Sequence, residues 1–245
     1  MVTGLAAMKQ ARKEHEEAVT NAKRPKANWF GWKGVVGDTQ VVQFMQELDA
    51  EATGYSAEAG LAIFPHEHVS PGNYQKRAEC ILESEGRCAP DEWHNAANAS
   101  GNKDYKGGWR AKVNFYITVL AKGKDDAGKE VMQPQILSRN FYSTFVEDLI
   151  DIAETEGTIT DRKYIIKKSG SDTTTRWSIK EYKEKGKIVS PDVTEEVAYD
   201  LKASAVRTVS YDEQAAFFEQ TSQVPTQDYA TASSARTTPN PDEQW

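Results

Sequence analysis

Between Ala111 and Leu120 the side chains alternate strictly, and this confines the middle of the chain to a β-sheet. Val113, Phe115, Ile117 and Val119 fall on one side, and Lys112, Asn114, Tyr116 and Thr118 on the other. A period of two belongs to an extended strand; on a helix these residues would scatter around the axis. The apolar set is assigned to the core and the polar set to solvent. Other segments carry the same signature. Asp38 to Met45 reads as a strand, approached through Asn28 to Lys33 and a Gly-containing turn. The polar hairpin Lys122 to Lys129 leads into a strand at Val131 to Ser138. Two last strands, Lys163 to Lys168 and Thr173 to Tyr182, are joined by Ser169-Gly170-Ser171-Asp172. In the final strand Trp177 and Ile179 take the core side, and Arg176, Ser178, Lys180 and Tyr182 the other.

One amphipathic helix interrupts the strands. Residues 142–155 place Phe145, Leu149, Ile152 and Ala153 on one face, and Gly157 supplies the stop. A weaker stripe of Leu5, Met8, Ala11, His15 and Val19 marks a helix over 4–23, ending in the basic link Lys23, Arg24 and Lys26. The stretch 65–109, with Pro65, Pro71, Gly86 and Pro90, reads as an irregular insertion. The expected fold is therefore mainly β: a five- or six-stranded barrel of the oligonucleotide-binding (OB) type with one inserted helix. A mixed α+β sandwich fits the strand count almost as well. The organisation expected is a helix and basic link at 1–27, a core at 28–187, and a tail at 188–245.

Charge divides the chain along the same boundary. Residues 103–187 carry 17 Lys/Arg and 13 Asp/Glu, whereas residues 188–245 carry 3 and 10. The first part suits a polyanion; the second would compete with it or dock on a basic partner. The apolar fraction of 38% is low for a fully packed chain of this length, so the Thr/Ser/Ala/Pro-rich end is expected to be largely disordered, after a short helix at Glu195–Ala203 or Asp212–Gln220. No run approaches the roughly 20 apolar residues of a membrane span, and the first residues show no secretory h-region. A cytosolic protein follows, with Cys80 and Cys88 as thiols or metal ligands rather than a disulfide.

Catalytic patterns do not fit. A zinc deaminase needs His-x-Glu and Pro-Cys-x-x-Cys, but here Glu67 directly follows His66 and Asp91 ends the second motif. There is no phosphate loop and no dinucleotide fingerprint. Asp148, Asp151 and Glu154 read as the solvated face of the helix. Two non-catalytic constellations remain. Single strands are held by aromatic faces under the bases and by cations along the phosphates. The residues offering both are Trp32, Lys33, Trp109, Arg110, Lys112, Tyr116, Lys163, Lys167, Arg176, Lys180 and Tyr182. The second constellation is His66, His68, Cys80, Cys88, Asp91 and His94. Zinc takes about four N, S or O donors in tetrahedral array, and His68, Cys80, Cys88 and Asp91 have loop-compatible spacings, with His94 or His66 as substitutes for the last. Two separate thiols and unconnected histidines are the competing reading.

Several of these segments, in order, resemble a known family: Asp38 to Phe44, the His68…Cys80…Cys88-x-x-Asp91 block, Asn114 to Val119, and Ile159-Thr160-Asp161 through Tyr182. They are similar to the single-stranded DNA-binding proteins of tailed bacteriophages, the T-even helix-destabilising type and its relatives in actinobacterial phages. The run Ile165 to Trp177, a strand, a Gly/Ser turn and a Thr-Arg-aromatic strand, is the most telling part. The resemblance covers roughly residues 28–183. It implies an OB-type core with a zinc-bearing insertion, no enzymatic activity, and a role in phage DNA replication, recombination and repair in the cytoplasm of the infected host. It also implies an acidic C-terminus that recruits replication and recombination proteins, with Asp242, Glu243 and Trp245 as contacts. The family's His, Cys, Cys-x-x-Cys zinc pattern maps onto His68, Cys80, Cys88 and position 91, where Asp stands in place of the last Cys. A zinc-stabilised scaffold or virion-associated protein-binding module is the alternative.

Overall fold

The structure, a computed structural model, describes residue 9 and residues 26–31, 39–100, 108–125, 127–170 and 176–219. Seven strands form one antiparallel sheet: β1 (Thr39–Phe44), β2 (His66–Ser70), β3 (Asn73–Glu79), β4 (Lys112–Lys124), β5 (Glu130–Asn140), β6 (Lys163–Ser169) and β7 (Arg176–Glu181). A separate two-residue ribbon pairs β8 (Lys183–Glu184) with β9 (Lys187–Ile188). The helices that lie wholly among the described residues are α1 (Leu82–Glu85), α2 (Ala89–Ala99), α3 (Thr144–Glu156), α4 (Leu201–Ala205) and α5 (Tyr211–Glu219).

The alternating strand is the spine of the sheet. β5 pairs with β4 from Asn114↔Asn140 to Lys124↔Glu130. The other edge of β4 is shared: β2 takes its start at His66↔Val113, and β1 its end at Val42↔Ala121. β1 then pairs with β6, and β6 with β7. The order is β3-β2-β4-β1-β6-β7 with β5 on β4, and the sheet does not close.

The main core lies on one face. Val42, Phe44, Phe115, Ile117, Val119, Tyr164, Ile166, Trp177 and Ile179 meet Phe145, Val146 and Leu149 of α3. Each buried side chain of this kind stabilises the fold by roughly 1.5–3 kcal/mol. The expected core positions Phe115 and Trp177 and the expected helix are both found. Helix α3 ends where Gly157 adopts φ 75° and returns its N–H to the Ala153 carbonyl, a conformation that glycine takes without strain. Upstream, the buried Glu47 carboxylate accepts from the backbone N–H groups of Ile159 and Thr160 and from the Thr158 and Thr160 hydroxyls. This ties the loop after β1 to the loop after α3.

The opposite face corrects the sequence expectation. Asn114, Tyr116 and Thr118 are buried instead of facing solvent. Asn114 donates to Glu67 Oε2 of β2, and the chain after β9 covers Tyr116 and Thr118. Leu201 and Val206 pack with Tyr116 and Ile136, and Tyr199 donates its N–H to Thr118 Oγ1 at 3.2 Å. The expectation of a tail starting at 188 is corrected by the same contacts. Leu201, Val206, Val209, Phe217 and Phe218 are all buried, so the chain is packed well past that boundary. An acidic average hid a few apolar residues that have a sheet face to cover. The stretch 65–109 is likewise more regular than expected, because β2, β3, α1 and α2 fall in it.

Tyr116 is consequently a structural residue. Its hydroxyl donates to Glu67 Oε2 at 2.6 Å and accepts from Arg77 Nη1 at 3.0 Å. Burial pushes the Glu67 carboxyl above its ordinary range, against the hydrogen bonds from Tyr116 and Asn114. Tyr116→Ala is expected to cost about 3–5 kcal/mol, the range for removing a buried ring, and to leave Glu67 without its hydroxyl partner. Denaturant unfolding measures this. A loss below about 1 kcal/mol would return Tyr116 to the surface.

Candidate metal centre and nucleic-acid interface

Four side chains from three local elements converge beside α2. His68 comes from β2, Cys80 follows β3, Cys88 caps α2 at its N-terminus, and Asp91 stands in the first turn of α2. The hairpin of β2 and β3 fixes the first two, since the Cys80 N–H donates to the His66 carbonyl at 2.8 Å. The extended backbone of Cys88 (φ −151°) and Pro90 in the first turn of α2 fix the other pair. One donor atom from each of the four residues lies within 4.8 Å of the others, so the group can hold a metal ion.

The detail of His68 tests the fit. Its Nδ1 donates to the Trp109 carbonyl at 2.7 Å, which leaves Nε2 as the lone-pair nitrogen. Nε2 is buried and lacks a hydrogen-bond partner of proper geometry, although Asp91 Oδ2 lies 3.3 Å away. A buried ring nitrogen turned toward two sulfurs and a carboxylate, with its other nitrogen held by a carbonyl, is how metal-ligating histidines are oriented. Cys80 Sγ also lies 3.1 Å from Asp91 Oδ2. The residues present fit a cation.

The electrostatics agree. The Cys88 thiol is drawn down to about 5, first by the hydrogen bond from Cys80, which outweighs burial, and then by His68. Cys80 is pushed up by that same bond and by burial. Burial opposes charge on His68, but the Cys88, Trp109 and Asp91 interactions together raise its pKa. A thiolate stabilised in a buried pocket is ready to meet a metal. The substitutes considered from sequence stand apart from this group: His66 is exposed, and His94 Nε2 lies 3.1 Å from Asn98 Nδ2.

A second constellation lies on the far side of β1, β6 and β7 from α3. The register Val41↔Ile165↔Lys180, Thr39↔Lys167↔Ser178 and Ser169↔Arg176 puts Lys167, Arg176 and Lys180 on one face, away from Ile166, Trp177 and Ile179. Gln43↔Lys163 adds Lys163. Lys167, Arg176 and Lys180 are exposed and have no ion-pair partner among the described residues. Beside them is a groove of about 600 Å³, whose lining includes Val41, Lys122, Met132, Lys163, Tyr182 and Asp192. Its wall carries two lysines, two carboxylates (Glu184 and Asp192) and one aromatic side chain, and Lys167, Arg176 and Lys180 stand outside it. Lys163 is engaged: its ammonium lies 2.6 Å from Asp192, whose backbone N–H donates to Gln43 Oε1 at 2.7 Å.

The remaining expected residues fall elsewhere. Trp109 is half-buried against Trp93 and Phe218, with ring centroids 4.8 and 5.3 Å away, so it is a packing residue of the metal region. Arg110 is exposed beside it. Lys112 is half-buried at the β2 edge, where burial and then Arg77 lower its pKa. Trp32, Lys33, Asp242, Glu243 and Trp245 lie outside the described residues. Sequence reasoning missed Lys122 and two exposed aromatics, Phe64 and Tyr142, which flank Phe141 at centroid distances of 5.6 and 5.3 Å. Exposure of a large ring has no local sequence signal.

No family model matches the chain, and no curated protein matches it. No described helix is long and apolar enough to cross a membrane.

Proposed function

We propose that this protein binds single-stranded DNA without strong sequence preference, protecting exposed strands during phage DNA replication, recombination and repair. The observation that carries this reading is the exposed face of Lys167, Arg176 and Lys180, next to the groove that Lys122, Lys163, Tyr182 and Met132 help to line. Phosphates favour such cations through release of their counterions, and bases favour an apolar and aromatic floor whatever their identity. Strand connectivity supports the OB reading of the core. Along β5-β4-β1-β6-β7, three strands form a meander, α3 follows, and a hairpin returns to β1, which is a five-stranded Greek-key path. The metal region then occupies the connection from β1 to β4.

Zinc is the metal proposed for His68, Cys80, Cys88 and Asp91. Two thiolates, an imidazole and a carboxylate suit it, and four protein donors make a structural site rather than a catalytic one. When bound, zinc would cross-link the β2–β3 hairpin to α2. No catalytic role is proposed. The acidic C-terminal end, with Asp242, Glu243 and Trp245, is proposed to recruit replication and recombination partners.

Titration with oligo-dT, followed by tryptophan emission and by the anisotropy of a labelled strand, tests the function. Saturable binding by a metal-loaded protein is expected. No binding, with the metal in place, would favour the zinc-stabilised protein-binding scaffold.

A further inference from the structure

The metal ligands have a neighbour that none of the roles above uses. Gln214, on α5 and fully buried, reaches the group from 126 residues away in sequence. Its Oε1 accepts the Ala89 N–H at 2.8 Å, satisfying a free donor in the first turn of α2. Its Nε2 lies 3.7 Å from Cys88 Sγ, in donating geometry. One amide therefore holds both the ligand sulfur and the start of the helix that presents Asp91.

The rest of α5 docks on the same structure. Phe218 packs edge-on against Trp109, whose carbonyl orients His68, and against Trp93 of α2. Tyr211 donates its hydroxyl to Glu92 Oε2 at 2.6 Å and lies under the Arg87 guanidinium. Just upstream, the Glu79 N–H donates to the Arg207 carbonyl at 2.8 Å, beside Cys80. Interactions of α5 thus touch Cys88 directly and reach His68 and Asp91 through one intermediate each, and the approach to α5 runs past the fourth.

We infer that Gln214 is a positioning residue of the metal centre, and that docking of α5 and binding of the metal are coupled. The inference rests on the metal reading of the four ligands. An N–H bond to a thiolate orients its lone pairs, and outer partners of this kind typically change metal affinity 10- to 100-fold. Coupling of binding equilibria is reciprocal. If docked α5 raises metal affinity, bound metal must hold α5 down by the same factor.

The test uses the full chain, Gln214→Ala and Gln214→Glu, each titrated with Co(II) and back-competed with Zn(II). Wild type should show thiolate-to-cobalt charge-transfer absorption. Gln214→Ala should bind about 10- to 100-fold more weakly, with that absorption shifted by loss of the bond to sulfur. Gln214→Glu keeps an acceptor for Ala89 but sets a carboxylate beside the sulfur, so it should not restore affinity. Limited proteolysis of wild type should cut within 206–219 faster without metal than with it. Unchanged affinity and absorption in Gln214→Ala would overturn the inference, as would full rescue by Glu, which would make Gln214 only a helix cap. Equal proteolysis with and without metal would overturn the coupling. Absence of any cobalt spectrum in wild type would overturn the metal reading itself.

Discussion

Removing the metal should lower the melting temperature by roughly 8–16 °C. Metal present at about a thousandfold over its dissociation constant contributes about 4 kcal/mol, and in a domain of this size each kcal/mol moves the midpoint by about 2–4 °C. The purified protein should hold about one zinc per chain, and a chelator should produce the shift reversibly. Cys88→Ser should reproduce most of it, because Cys88 is buried and central to the ligand group. Acid should act in the same direction. His68 must be neutral to ligate, and the interactions around it raise its pKa. Protons therefore begin to compete at a higher pH than for an ordinary imidazole, and affinity falls as pH falls through that point. A metal-free protein with both thiols freely titratable and an unaltered midpoint would show that Asp91 marks a site that no longer binds.

Neutralising Lys167, Arg176 and Lys180 together should abolish most binding at low salt without affecting the fold. All three are exposed on the face away from the core, where surface substitutions usually change stability by less than about 0.5 kcal/mol. Every cation that no longer meets a phosphate of the single strand reduces the slope of log affinity against log salt by about 0.7, so three should reduce it by about 2. If variant and wild type converge near about 1 M salt, the deficit at about 50 mM is a few hundredfold on the same relation. Anisotropy of labelled oligo-dT measures both quantities. A triple variant with wild-type slope would show that phosphates run elsewhere, with the exposed Phe64 and Tyr142 region next to be tested.

Much of the sheet was legible because local pattern and final environment agree. The alternation around Phe115 became β4, the stripe with Phe145 and Leu149 became α3, and Trp177 and Ile179 took the core side of β7. The ligand group was legible too, since His68, Cys80, Cys88 and Asp91 are near in sequence and of metal-binding types. Tyr116 was misread because alternation reveals two faces but not what covers them. Its cover, Leu201 and Val206, lies more than 80 residues on, in a segment whose acidic composition suggested disorder. The prolines and glycines of 65–109 suggested a loop, whereas Pro90 stands in the first turn of α2 and Gly86 ends α1 in a left-handed conformation. Gln214 carried no signal at all, because an amide gains meaning only from the sulfur and the helix end it meets.

The most direct measurement is the affinity of the metal-loaded full chain for oligo-dT between about 50 and 500 mM salt. If Lys122, Lys163, Lys167, Arg176 and Lys180 each meet a phosphate, log affinity should fall linearly with log salt, with a slope of about −3 to −4. A flat affinity across that range, or no binding at its low end, would contradict single-stranded DNA binding as the function of this protein.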